Sequence, residues 1–348
     1  MQQLNATTQP AQTFRVFNRA DVLPRAWYLA CRSGELPPGG VLGVQIGRQR
    51  LALFRAADGA VGALDAFCPH MGTDLALGAV VEGTLRCTFH HWRFTRDGRC
   101  ARIPCQDHVP AAARTRAYAV TERYGAVWVW PDSTPDVPLL EVPGLEGREV
   151  LVSFDAVNES NAPYHVSMVN GLDMQHLATV HDLSIRMEVD IDEHDGLLDA
   201  VVHGPVPTDS VLGRLVRALV GPRYAYAMRY GQATVAALVL LRDSHFLRPS
   251  WRWPRLTMIF AYRPLPDGRS RTYPLFVAER TPGPWGWLRA QALLLATRVA
   301  YRFLEAEDER IYDHIRFSAR NLLEADAPVA RYIRYVEGLV PSDWSSPR

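Results

Sequence analysis

From Ala26 to Trp130 the chain alternates brief apolar runs with turn-forming residues. "AWYLACRS", "GVLGVQI", "RLALFRA" and "VGALDAF" have the length and composition of strands, and "PPGG" and "ADG" separate them. "YGAVWVW" (Tyr124 to Trp130) is a further strand. The pattern predicts a small all-β domain. "PDSTPDVP" (Pro131 to Pro138) then has the composition of a linker. Beyond it the periodicity changes. "NGLDMQHLATVHDL" has helical spacing, and residues 185 to 280 return to strands in "YAYAMRY", "TVAALVLL", "LTMIFAYRPL" and "RTYPLFVAE". From about Pro284 to Leu323 the apolar positions predict one or two long helices. Strands followed by terminal helices predict an α+β domain, with helices packed on an antiparallel sheet. The expected division is an arm over 1–20, a β domain over 21–135 and a second domain over 136–340.

Composition narrows the function classes. The 348 residues suit two domains, and a hydrophobic fraction of 48% suffices for sizeable cores. A net charge of +1, from 38 basic and 37 acidic residues, gives no electrostatic case for nucleic acid or an acidic membrane as the main partner. Nine tryptophans and thirteen tyrosines suggest aromatic-rich cores or a pocket for an apolar ligand. The opening "MQQLNATTQPAQTF" is polar and unlike a secretory signal, so a short flexible arm is expected. No run is long and apolar enough for a transmembrane span. "WLRAQALLLATRVAYRFL" (Trp287 to Leu304) reads as a packed amphipathic helix in preference to a membrane-surface helix. The five cysteines are too few and too sparse for a secreted disulfide framework. They fit a reducing, cytoplasmic setting with two of them used as metal ligands. Cys31, Cys100 and Cys105 read as small hydrophobes.

Two short pairs carry candidate metal chemistry: Cys68-x-His70 and Cys87-x-x-His90, with sixteen residues between them. A zinc ribbon and an iron–sulfur site both use such residues. Each pair offers one thiolate and one imidazole. A Rieske cluster needs two thiolates on one iron and two imidazoles on the other, which two facing loops can deliver. The flanks are "CPHMG" and "CTFHHWRF", followed by Ile103-Pro104 and "ERYGAVWVW". These residues resemble the signature C-x-H-x16-C-x2-H of Rieske [2Fe–2S] domains. The resemblance implies Cys68 and Cys87 on one iron and His70 and His90 on the other. Histidine ligation raises the potential to roughly −150 to +300 mV. Thr88 and His91 depart from the usual Pro and Gly; altered loop packing is expected there, without loss of the cluster.

"NGLDMQHLATVH" carries Asp173-x-x-His176-x4-His181. On a regular helix Asp173 and His176 share a face, whereas His176 and His181 lie about 140° apart. The two histidines meet at one metal only if the helix ends or loosens between them. The segment resembles the Asn-x-x-Asp-x-x-His-x4-His motif of Rieske non-haem iron oxygenases, with Asn170 in the first position and Val169 where an acid often stands. That resemblance implies His176 and His181 as ligands of a mononuclear iron(II). Asp173 is then a bridge accepting hydrogen bonds from His176 and from His90 of an adjacent subunit, and Asn170 a polar neighbour. Such iron sites use two histidines and one carboxylate. Asp308 is the candidate carboxylate, because it interrupts an apolar stripe of Tyr301, Leu304, Ile311, Tyr312 and Ile315, where an unpaired charge is costly. Glu305 and Glu307 are weaker candidates, and Glu305, Glu309 and Asp313 are expected on an ion-paired surface.

Together these features resemble the oxygenase (alpha) component of Rieske systems, with aminopyrrolnitrin oxygenase-like and sterol-oxygenase-like monooxygenases most similar in feel, over nearly the whole chain. The resemblance implies a Rieske domain followed by a helix-grip, START-like catalytic domain. It also implies O2 as co-substrate, electrons from NAD(P)H through a ferredoxin or flavin reductase, and a homotrimer. The substrate expected is an apolar, aromatic or polycyclic small molecule. Tyr224, Tyr226, Met228 and Tyr230 line its pocket or fill core, with core favoured for each. The competing reading is a Rieske-type electron-transfer protein without oxygenase activity.

Overall fold

The computed structural model of the protein describes residues 14–180, 187–205, 223–241, 255–312 and 314–345, together with Thr208, Arg214 and Arg217. The first strands are β1 (Tyr28–Arg32), β2 (Val41–Ile46), β3 (Gln49–Arg55), β4 (Val61–Asp65), β5 (Ala79–Val81) and β6 (Thr84–Arg86). They are followed by β7 (Arg93–Phe94), β8 (Cys100–Arg102), β9 (Ala117–Tyr118), β10 (Val120–Arg123) and β11 (Ala126–Val129). They form three small antiparallel sheets, in the orders β1-β11-β10, β2-β3-β4-β9 and β5-β6-β7-β8. Short runs with turn residues between them can bury only one small face each, so stacking three little sheets is how this stretch builds a core.

Strands β12 (Val150–Phe154) and β13 (Asn158–Ser160) lead into helix α1 (Tyr164–Val169), a single 3-10 turn (Asn170–Leu172) and helix α2 (Met174–Thr179). Then come β14 (Glu188–His194), β15 (Leu197–Pro205), β16 (Arg223–Gly231), β17 (Val235–Leu241), β18 (Leu256–Pro264) and β19 (Ser270–Glu279). Helices α3 (Pro284–Tyr312) and α4 (Ala327–Gly338) follow. One eight-stranded antiparallel sheet runs β12-β19-β18-β17-β16-β15-β14, with β13 also on β19.

Both faces of this sheet are covered, which is why β17 is apolar at every position and β18 and β19 carry long apolar runs. Val235, Ala237, Val239, Ile259, Ala261, Leu275 and Val277 pack on Trp27, Leu29, Trp128 and Trp130 of the first domain. Their alternates Leu238, Met258, Phe260 and Phe276 pack on α3 through Ala290, Leu294 and Tyr301. The period of two along each strand makes this division. Hydrogen bonds seal the joint: Thr234 Oγ1 donates to Trp27 O at 2.8 Å, and buried Arg263 donates to Ala30 O at 2.7 Å.

The elements differ from expectation in three places. The arm expected over 1–20 is packed by residue 16, because Val16 and Phe17 are fully buried. Backbone N–H groups of Arg15, Val16 and Phe17 donate to the Glu337 carboxylate of α4 at 2.7, 2.9 and 2.6 Å. The helices expected over Pro284–Leu323 end at Tyr312, and 314–323 form none. Helix α4, absent from the expectation, buries Val329, Tyr332, Ile333, Tyr335 and Val336. No helix among the described residues is long and apolar enough to cross a membrane.

Candidate functional site

The first site stands on two loops. The loop after β4 turns back on itself: Cys68 N donates to Thr73 O and Gly72 N to Cys68 O, each at 2.9 Å, with Gly72 at φ +74°. The loop between β6 and β7 closes through Cys87 N to Trp92 O at 2.8 Å. Cys68 and Cys87 are buried beside Phe94 and Ile103, and their thiols lie within hydrogen-bonding reach of each other. His70 and His90 are exposed, with ring centroids 4.6 Å apart at 69°. His70 stacks on Trp92 at 4.5 Å and 6°, which fixes its plane. Two thiols inside and two imidazoles outside is the split that a Rieske cluster requires.

Burial, with Cys87 close by, pushes the Cys68 thiol up to about 11, while the backbone N–H groups of His70 and Met71 oppose the shift. Those N–H groups favour a thiolate, and a metal at the sulfurs would complete its stabilisation. His91 adopts φ +58°, a left-handed backbone in which glycine is strain-free. Nothing in the structure explains Thr88.

The second site joins α2 to α3. Asp173 does not share a helix face with His176. Its backbone is extended, at φ −91° and ψ 98°, and it caps α2 by accepting from His176 N at 3.0 Å. The His176 ring points inward, where Nε2 lies 3.1 Å from Asp308 Oδ1 of α3. Asn170 Nδ2 sits 3.4 Å from the same ring nitrogen and donates to Tyr312 Oη at 2.5 Å. Tyr312 Oη is in turn 3.4 Å from Asp308 Oδ2. Burial, then the Asp308 charge, pushes the Tyr312 phenol well above its ordinary value, so it serves as a neutral donor. Helix α2 ends at Thr179, between His176 and the position of His181. His181 lies outside the described residues, as do the side chains of Glu307 and Glu309 and the whole of Asp313.

Among the described residues, no three His, Cys, Asp or Glu side chains gather tightly enough for one metal ion. His176 and Asp308 nevertheless present an imidazole and a carboxylate to one point, a donor pair that suits iron(II).

That pair borders a cavity of about 230 Å³ between the sheet and α3. Tyr226, Met228, Leu238, Leu240, Met258 and Phe260 form its apolar wall. Tyr226 and Met228 therefore line the cavity, whereas Tyr230 is wholly buried and donates to Met168 O at 3.0 Å. The side chain of Tyr224 lies outside the described residues. Glu305, expected on an ion-paired surface, instead lines the cavity, accepting from Tyr301 Oη at 2.8 Å and from Asn158 Nδ2. Sequence reasoning missed Tyr312, Asn158 and this orientation of Glu305. The usable signal was helical spacing: Tyr312 follows Asp308 by four residues, and Tyr301 precedes Glu305 by four.

Residues 26–113, which contain all four cluster-loop residues, match the model of the Rieske [2Fe-2S] domain. The chain is 34% identical over 177 residues to cholesterol 7-desaturase nvd of Bombyx mori, covering 48% of this chain and 37% of that protein. It is 33% identical over 174 residues to aminopyrrolnitrin oxygenase PrnD of Pseudomonas fluorescens, covering 47% of each. The matched stretches thus span less than half the length of these curated relatives. The fold resembles that of dicamba monooxygenase bound to dicamba, with a TM-score of 0.60, 24% identity, and coverage of 91% of this chain and 97% of that one. Likeness in sequence to these relatives therefore extends over about half the chain, short of the near-complete span expected, while likeness in fold extends over nine-tenths. The first domain is a Rieske domain, and the relatives are oxygenases and desaturases.

Proposed function

We propose that this chain, a relative of oxygenase components built on a Rieske domain, is the terminal oxygenase of a multicomponent system acting on an apolar small molecule. One observation carries the reading. The chain that presents the Cys68/Cys87 and His70/His90 loops also holds His176 and Asp308 3.1 Å apart at the wall of an apolar cavity. An electron-transfer protein has use for the loops and none for the cavity.

Bound at these residues, a [2Fe–2S] cluster supplies one-electron transfer and a mononuclear iron(II), with His181 as a further ligand, supplies O2 activation. The chain's own residues do the rest. Cys68 and Cys87 hold the inner end of the cluster loops. His70 and His90 bring imidazole edges to the surface, where a donor protein can reach them. Asn170 and Tyr312 hold the His176 ring and the Asp308 carboxylate in place through neutral hydrogen bonds, as supporting groups around metal ligands do. The wall from Tyr226 to Phe260 excludes water from the reacting atoms.

The expected assembly is a homotrimer in which Asp173 receives the partner subunit's His90, so that electrons cross between subunits. Exposed Phe67, Met71 and Phe89 around the cluster loops support burial of that face against another molecule. A flavin reductase or ferredoxin reduced by NAD(P)H is the expected donor. Five free cysteines support a reducing, cytoplasmic setting.

The test is metal and sulfide analysis, followed by turnover with a surrogate reductase under ¹⁸O2. About three irons and two acid-labile sulfides per chain are expected, with product carrying the label. Two irons without turnover would return the chain to the electron-transfer reading. Zinc without sulfide would exclude both.

A further inference from the structure

Glu305 puts a carboxylate where an apolar substrate offers nothing to meet it. It lines the cavity from α3, one turn before Asp308. Both described hydrogen bonds, from Tyr301 Oη and from Asn158 Nδ2, reach the same oxygen, Oε1. Both donors are neutral. Among the described residues no Lys, Arg or His side chain pairs with Glu305, whereas neighbouring Glu159 is paired with Arg269 and Arg271. Asn158 also reaches Tyr301 Oη at 3.5 Å, so two residues, from two elements, fix one carboxylate oxygen. Burial, then the Glu305 charge, raises the Tyr301 phenol far above its ordinary value, so Tyr301 keeps its proton and donates a hydrogen bond to Glu305. Oε2 is in neither bond, and the lining of the cavity as a whole is chiefly apolar. A carboxylate oriented through one oxygen in such a wall leaves the other to accept from a ligand.

We infer that Glu305, held by Tyr301 and Asn158, anchors an N–H or O–H donor group on the substrate, so that the ligand is an apolar small molecule with one donor head group and no carboxylate. The inference rests on reading the cavity as the substrate pocket. Residues three apart on a helix have β-carbons about 5–6 Å apart. The anchored head group and the site of oxidation beside Asp308 are therefore separated by roughly one ring. Glu305 selects and orients the substrate; it is not assigned a ligand role, because the carboxylate facing His176 is Asp308.

The experiment measures binding, without turnover, to the purified metal-loaded protein. Four probes share one cage: adamantylamine, adamantanol, chloroadamantane and adamantanecarboxylate. The amine or the alcohol is expected to bind about tenfold or more tighter than chloroadamantane, as for a hydrogen bond to a charged group, with the carboxylate weakest. Glu305→Gln should remove the preference for the amine and keep that for the alcohol. Glu305→Leu should remove both and leave chloroadamantane unchanged, which also shows that the pocket is intact. Equal affinity for all four probes, tight binding of the carboxylate, or parent-like preferences in both variants would overturn the inference. So would loss of one iron in Glu305→Gln, which would make it a metal ligand. A chain that binds selectively but never turns over would overturn the oxygenase reading and leave the anchor standing.

Discussion

His176 Nε2 lies 3.1 Å from Asp308 Oδ1, across the gap between a two-turn helix and the far end of the longest helix. Neither side chain is placed by its own element alone. Asp173 caps α2, the helix that carries His176, while packing of α3 on β18 and β19 sets Asp308 opposite its ring.

Replacing either member of that pair should release one metal and spare the other. Asp308→Ala and His176→Ala are each expected to lower iron from about three to about two per chain, with sulfide unchanged. Iron and sulfide analysis with the visible spectrum reads both. Loss of the cluster absorption in these variants would contradict the assignment.

Asp173 combines a structural role with a proposed electron-relay role, and two variants separate them. Asp173→Ala should cost about 1 kcal/mol of stability, because the cap on His176 N is lost. Asp173→Asn keeps a good cap, so its melting temperature should stay near the parent's. Both should retain full metal content and lose multiple turnover. An Asn variant turning over at the parent rate would exclude the relay role.

His91 sits at φ +58° between His90, a proposed cluster ligand, and Trp92. A residue with a β-carbon is strained there by roughly 1–2 kcal/mol relative to glycine. His91→Gly should therefore raise the melting temperature while leaving the cluster spectrum unchanged. Denaturation followed through the cluster absorption tests this.

His165 gives acid sensitivity a definite source. It is fully buried on α1, stacked on Phe17 at 5.5 Å, and neither ring nitrogen has a partner among the described residues. Burial pushes its imidazole down to about 3. The unfolded chain binds this proton near the ordinary histidine value and the folded chain does not. Stability from this group is thus full above about pH 6.5 and falls as pH drops toward 3, by at most about 1.4 kcal/mol per pH unit. His165→Phe should flatten that slope in denaturation measured between pH 7 and pH 4, beyond any change in stability at pH 7.

The two Cys–His pairs were legible because each lies within a few residues of chain, and local turns hold them. The strands β16 to β19 were legible from their apolar and aromatic runs, unbroken in β17, the mark of a sheet covered on both faces. The 170–179 segment was less so. Its residue types pointed to iron, but a cap and a 3-10 turn replace the regular helix that its spacing suggested. Glu305 was misjudged for a related reason. Helical spacing tells which residues share a face, while the packing of α3 on the sheet decides which face looks into the cavity. Helix α4 was missed because its buried residues are tyrosines and β-branched Val and Ile, types that read equally as strand or core.

The chain alone determined the chemical inventory: two thiol–imidazole loops, an Asn-Asp-His segment and an isolated carboxylate in an apolar stripe. Those follow from residue types at short spacing, where covalent geometry limits the arrangements. Only the tertiary structure decided that Asp308 faces His176, that Tyr312 joins Asp308 to Asn170, and that Glu305 looks into an apolar cavity. These depend on which sides of a sheet and a helix meet, and that is set by burial summed over many distant residues.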